Sequence, residues 1–117
     1  MSAVAIVSAL TIGVRLDATD ALTLRVAPTV GSEPADLFVQ AFVERNEDNR
    51  SLEIQLESDA LLRRSTIELP GMRAPHVSQF HFRGLPAGTY HVLASLGGSA
   101  GIRARATRTI VVIPTGR

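Results

Sequence analysis

The sequence predicts an all-β fold, an antiparallel β-sandwich of about seven strands. Three observations lead there. From residue 22 onward apolar residues recur with a period of two, and no stretch of useful length carries the 3.6-residue period of a helix. Clusters of Gly, Pro, Asn, Asp and Ser punctuate the alternating runs. The segment from Phe80 to Val92 reads as strand, tight turn, strand, with a turn built for a corner between two sheets.

Taken in order, Ala3 to Val14 is an uncharged apolar run of 12 residues, too short for a comfortable membrane span. Two readings stay open. It has the length of a signal-peptide hydrophobic region, with Thr19-Asp20-Ala21 offering cleavage after Ala21, although no Lys or Arg precedes it and Arg15 follows. It also places Val4, Ile6, Leu10, Ile12, Val14 and Leu16 on even positions, as a strand would. The domain division expected is therefore a leader-like segment over 1–21 and a sandwich over 22–117. A cleaved leader would make the protein secreted or part of the cell envelope, with a mature chain starting near Leu22.

Leu22 to Val26 is a short strand ended by Pro28, and Gly31-Ser32-Glu33-Pro34 is a loop. Leu37 to Glu44 is a strong strand whose Leu37, Val39, Ala41 and Val43 face is the expected core. Phe38 and Phe42 then lie on the opposite face, covered by the N-terminal segment or free to meet a partner. Arg45 to Arg50 is a polar turn. Leu52, Ile54 and Leu56 alternate with Glu53, Gln55 and Glu57, a half-buried strand. Leu61 to Leu69 follows after Ser58-Asp59, with Ser65, Ile67 and Leu69 on one face; Arg63 falls in that phase, which predicts an edge start or a bulge. Pro70-Gly71 closes the strand.

At the corner, Phe80 and Phe82 share a face and His81 points the other way. Pro86 presets φ at the second turn position, Gly88 suits the fourth, and Tyr90, Val92, Ala94 and Leu96 resume an inward row. Residues 97–101 are a flexible Gly-rich turn. In the last strand, Ile102 to Ile113, Arg108 shares the phase of Ala104 and Ala106. A bulge near Thr107-Arg108 is expected to swap the phase and bring Thr109, Val111 and Ile113 inside.

The pattern Phe80-x-Phe82-x-x-Leu85-Pro86-x-Gly88-x-Tyr90-x-Val92 resembles that of prealbumin-like and carboxypeptidase-regulatory-like domains, which are Ig-like β-sandwiches. The wider run from Asp48 through Arg64-Ser65-Thr66 to Arg73-Ala74-Pro75 is similar to small bacterial exported proteins of unknown function. The resemblance implies an Ig-like fold in which His81 and His91 sit on different sheets, and it implies no chemistry.

Composition narrows the function classes. There is no Cys, so disulfides and thiolate metal sites are excluded. All 12 basic residues are Arg, which rules out a lysine nucleophile. A net charge of +1 gives no field for nucleic acid or anionic lipid, and no stable membrane insertion of the folded domain is expected. No Gly-x-Ser-x-Gly elbow or phosphate-binding glycine loop occurs. The carboxylates of Glu44, Glu47, Asp48 and Asp59 lack the Asp-x-Asp-x-Asp-Gly spacing of a calcium loop and read as a solvated turn. His76, His81 and His91 provide too few placed ligands for a metal site. No cofactor is expected, and the chain is expected not to be an enzyme. The leading expectation is a structural or protein-binding module of an exported protein. Its contact residues are Phe38 and Phe42 on one sheet face and Arg103 and Arg105 on the last strand, with self-association as one form of partner. The alternative is a module that binds a glycan or a metal ion through its loops.

Overall fold

A computed structural model describes residues 21–115. The division between a leader-like segment and a domain falls largely on residues 1–20 and lies outside the described residues. Eight strands are present among the described residues: β1 (Leu22–Ala27), β2 (Val30–Ser32), β3 (Ala35–Val43), β4 (Ser51–Glu57), β5 (Leu62–Glu68), β6 (Val77–Leu85), β7 (Gly88–Gly98) and β8 (Gly101–Ile113), with one 3-10 turn at Gly71–Arg73. They form a three-stranded sheet in the order β1-β3-β6 and a five-stranded sheet in the order β2-β8-β7-β4-β5. Every pairing is antiparallel except β2 on β8.

Alternation decides which way each strand faces. In β3, Leu37, Val39, Ala41 and Val43 are buried, and in β4 Leu52, Ile54 and Leu56 are buried. Leu22, Leu24, Phe80 and Phe82 complete the inner side of the smaller sheet. Tyr90, Val92, Ala94, Leu96, Ile110 and Val112 complete that of the larger. Each large side chain so enclosed contributes roughly 1.5–3 kcal/mol, and this burial presses the layers together.

The chain changes layer five times, from β1 to β2, β2 to β3, β3 to β4, β5 to β6 and β6 to β7. Between β6 and β7 it crosses at Pro86, where the buried Tyr90 hydroxyl donates to the Pro86 carbonyl at 2.6 Å. The corner read from sequence is therefore present, and His81 and His91 stand on different sheets. Between β1 and β3 the sequence predicts only a loop at Gly31-Ser32-Glu33-Pro34. Instead, the chain leaves the smaller sheet after β1, and Val30–Ser32 pairs alongside Val111–Ile113 as β2. The donors that make this strand are backbone groups: Val111 N–H to the Thr29 carbonyl at 2.9 Å and Glu33 N–H to the Ile113 carbonyl at 2.9 Å.

The last strand departs from expectation. No phase swap occurs at Thr107-Arg108: Ala104, Ile110 and Val112 are buried, whereas Val111 and Ile113 are exposed. The register shift lies between Leu96 and Gly97 on the partner strand. Arg108 keeps its inward phase without entering the core, because β2 pairs only with the end of β8 and, among the described residues, no strand is hydrogen-bonded to the edge beside Arg108. The guanidinium turns around that edge and donates to the Thr107 carbonyl at 2.8 Å. Arg63 on the edge strand β5 behaves alike, donating at 2.8 Å to the Arg83 carbonyl of β6 in the other sheet. Gly97 and Gly98 belong to β7, so the turn to β8 is shorter than expected. At Gly97 a Cβ would stand 2.5 Å from Ser51 Oγ, so any larger residue there would require the Ser51 hydroxyl to rotate away.

Candidate functional site

The outer face of the three-stranded sheet gathers Phe38, Phe42, His76 and His81, half of the aromatic and imidazole rings. Register sets Phe42 between Thr23 and Val77, Gln40 between Arg25 and Gln79, and Phe38 between Ala27 and His81. Phe38 is 52% exposed. Its ring stacks on His81 with centroids 4.2 Å apart and planes 17° apart. His81 Nε2 lies 3.6 Å from an Asp36 carboxylate oxygen, and the other Asp36 oxygen accepts the Gly84 N–H at 3.3 Å.

Phe42 is half-buried. The Arg25 guanidinium lies over its ring at 5.5 Å, and His76 meets its edge at 6.3 Å. His76 Nδ1 is 2.7 Å from the Val43 carbonyl. A carbonyl only accepts, so Nδ1 carries the proton. Two shallow depressions flank the rings. One, of about 350 Å³, is lined by Arg25, Ala27, Phe38, Gln40 and Gln79. The other, of about 460 Å³, is lined by Thr23, Phe42, Glu44, Arg45 and His76. The expected cover by the N-terminal segment lies outside the described residues. Arg25, His76 and His81 were not read from sequence as part of this patch. The outward parity of Arg25 was legible, but the register that sets it beside Phe42 was not.

The arginines expected as contacts lie elsewhere, on β8. Arg103 is tied down: its Nη1 donates to Asn49 Oδ1 at 2.6 Å, and its Nε is 3.9 Å from Asp48. Asn49 is buried and donates in turn to the Glu44 carbonyl at 3.0 Å. Hydrogen bonds from Ser99 hold the Asp48 carboxyl below its ordinary range, with Arg50 and Arg103 adding to the effect. Arg105 is exposed beside Ser95 and makes no hydrogen bond or ion pair among the described residues. The structure thus brings Phe38 and Phe42 onto one face and leaves Arg103 and Arg105 on the other sheet.

At one end of the sandwich, Glu57, Ser58, Asp59, Gly88, Thr89 and His91 line a recess of about 360 Å³. Glu57 and His91 are cross-strand neighbours, and Thr109 Oγ1 is 3.4 Å from His91 Nδ1. Among the described residues no three His, Asp or Glu side chains are grouped to hold a metal ion. No helix among them is long and apolar enough to cross a membrane.

No protein-family model matches the sequence, and no curated protein matches it either. Solved structures do share its fold. Superoxide reductase (neelaredoxin) from Ignicoccus hospitalis aligns with a TM-score of 0.57 at 12% identity, covering 80% of this chain and 85% of that one. The sulfur carrier protein SoxY from Chlorobium limicola gives 0.57 at 14% identity over 79% and 75%. A CARDB domain from Pyrococcus furiosus, solved with di-metal ions, gives 0.51 at 16% identity over 80% and 93%. At such identities the likeness is one of fold. It nevertheless corrects one expectation. The chain is expected from its sequence not to be an enzyme, yet its small β-domain fold is shared with a superoxide reductase, so a sandwich without a known catalytic motif does not imply absence of catalysis.

Proposed function

We propose that this chain is an Ig-like protein-binding module of an exported protein and that it meets its partner through the outer face of the three-stranded sheet. The observation that carries the reading is Phe38, a ring 52% exposed at mid-sheet and already stacked on His81. A ring fixed before binding loses little rotamer freedom on association, and aromatic and Arg side chains are the groups that anchor interfaces. Arg25, Gln40 and Gln79 supply the polar surround such an anchor needs. Export is supported by the leader-like run before residue 22.

The test is Phe38→Ser. Phe38 is half in water, so thermal stability should change little, while affinity for a purified partner, identified by capture on the immobilised domain, should fall at least tenfold. Equal affinity of wild type and variant for that partner would remove this face from the reading. Sequencing the mature N-terminus tests export: a chain starting near Leu22 supports it, and one starting at Met1 or Ser2 opposes it.

A further inference from the structure

The open edge of β8 offers a second kind of contact, independent of the Phe38 face. Val111 N–H points away from β7 and donates to the Thr29 carbonyl. From Ala104 to Val112 the strand pairs with β7 without interruption. Along a strand the N–H and C=O of one residue point to the same side, and the side alternates from residue to residue. Arg105, Thr107 and Thr109 therefore aim their backbone groups the same way as Val111. β2 fills this edge only at 111–113, because the chain arrives there from the other sheet. Among the described residues no strand is hydrogen-bonded to this edge along 103–109, although β1 of the other sheet packs close to β8.

We propose that this stretch accepts an extended, acidic segment of a partner protein as an added strand. The edge is already competent, since the chain's own β2 uses its far end. Strand addition draws affinity from main-chain hydrogen bonds and specificity from alternate side chains. Here those side chains are cationic. Among the described residues Arg105 has no partner on the outer face, and Arg108 stands on the inner side with its guanidinium folded onto the Thr107 carbonyl. No carboxylate faces them from β7, whose opposing residues are Ser95 and Val92. The nearest carboxylate in that cross-strand row, Glu53 on β4, is engaged by Arg64 at 3.2 Å. Charge on an edge ordinarily repels strand addition. Two unneutralised arginines repel a basic strand and draw an acidic one, which turns protection into selection. As the strand docks, Arg108 exchanges the Thr107 carbonyl for a carboxylate, and the freed carbonyl accepts an N–H from the incoming strand.

The probes are two nine-residue peptides that alternate Glu with Val or Lys with Val, each carrying a fluorophore. Anisotropy titrations use the full chain at low salt. The Glu peptide should bind at least tenfold more tightly than the Lys peptide, and the amides of Arg105, Thr107 and Thr109 should gain protection from hydrogen exchange. Thr107→Pro removes an outward N–H at a position an edge strand tolerates, and it should abolish binding while thermal melting confirms a folded domain. Arg105→Glu leaves every backbone group in place and should reverse the peptide preference. Equal binding of both peptides, no binding of either, or a preference unchanged by Arg105→Glu would overturn the proposal. So would self-association of the chain that Thr107→Pro abolishes without any peptide binding, since the occupant would then be a second copy. Phe38→Ser should leave the titration unchanged, so failure here and failure of the Phe38 face are separable.

Discussion

Replacing Tyr90 with Phe isolates the hydrogen bond at the corner. The ring is fully buried and keeps its packing in the variant, so the difference is one hydroxyl that donates to the Pro86 carbonyl at 2.6 Å. Pro86 itself is exposed, and its carbonyl can take water once the hydroxyl is gone. The cost is therefore the net value of a hydrogen bond, about 1 kcal/mol, rather than that of a stranded buried acceptor. For a domain of this size that corresponds to a fall in Tm of roughly 4–8 °C. Urea unfolding followed by circular dichroism should show a lower midpoint at an unchanged m value, because the surface exposed on unfolding is the same. Tyr90→Ala, which also empties the ring's space, should cost roughly 3–5 kcal/mol. An unshifted midpoint for Tyr90→Phe would mean that the hydroxyl does not fasten the corner.

Asn49→Ala should destabilise by about 2 kcal/mol in the same unfolding assay, since it removes a donor to the Glu44 carbonyl and the acceptor of the Arg103 guanidinium from a buried position. Gly71 has φ +59°, and a Cβ there would stand 2.9 Å from the Glu47 carbonyl oxygen. Gly71→Ala should therefore cost about 2 kcal/mol, read as a lowered urea midpoint. The Asp48 carboxyl is held below its ordinary value of 3.8 chiefly by Ser99. Its contribution to stability is thus complete above that value and disappears as pH falls through the lower folded-state pKa. Melting curves taken from pH 5 downward should show a shallower acid loss for Asp48→Asn than for wild type.

What the sequence disclosed and what it withheld follow from the range of the interactions. Strict alternation at Leu37–Val43 and Leu52–Leu56 specifies a buried side by itself, and the Pro86-to-Tyr90 spacing specifies a corner, so both were legible. β2 was missed because Val30–Ser32 gains strand form only from Val111–Ile113, some eighty residues away. Arg108 was misread because its phase suggests the core, while its position beside an open edge lets the long side chain return to water. The same reasoning recovered the edge position of Arg63. Phe38 and Phe42 were recognisable as an outward pair. Their neighbours His76, His81 and Arg25 arrive through register, which a single sequence does not state. The absence of a catalytic motif spoke only to known motifs, and the fold shared with a superoxide reductase shows how little that excludes.

The central claim is that the chain passes from one sheet to the other at Pro86 instead of folding back as a hairpin. Cross-strand nuclear Overhauser effects between backbone protons test it directly. The account predicts contacts of His81 with Phe38, and of His91 with Glu57 and Thr109. Direct contacts between His81 and His91 would place both strands in one sheet and contradict it.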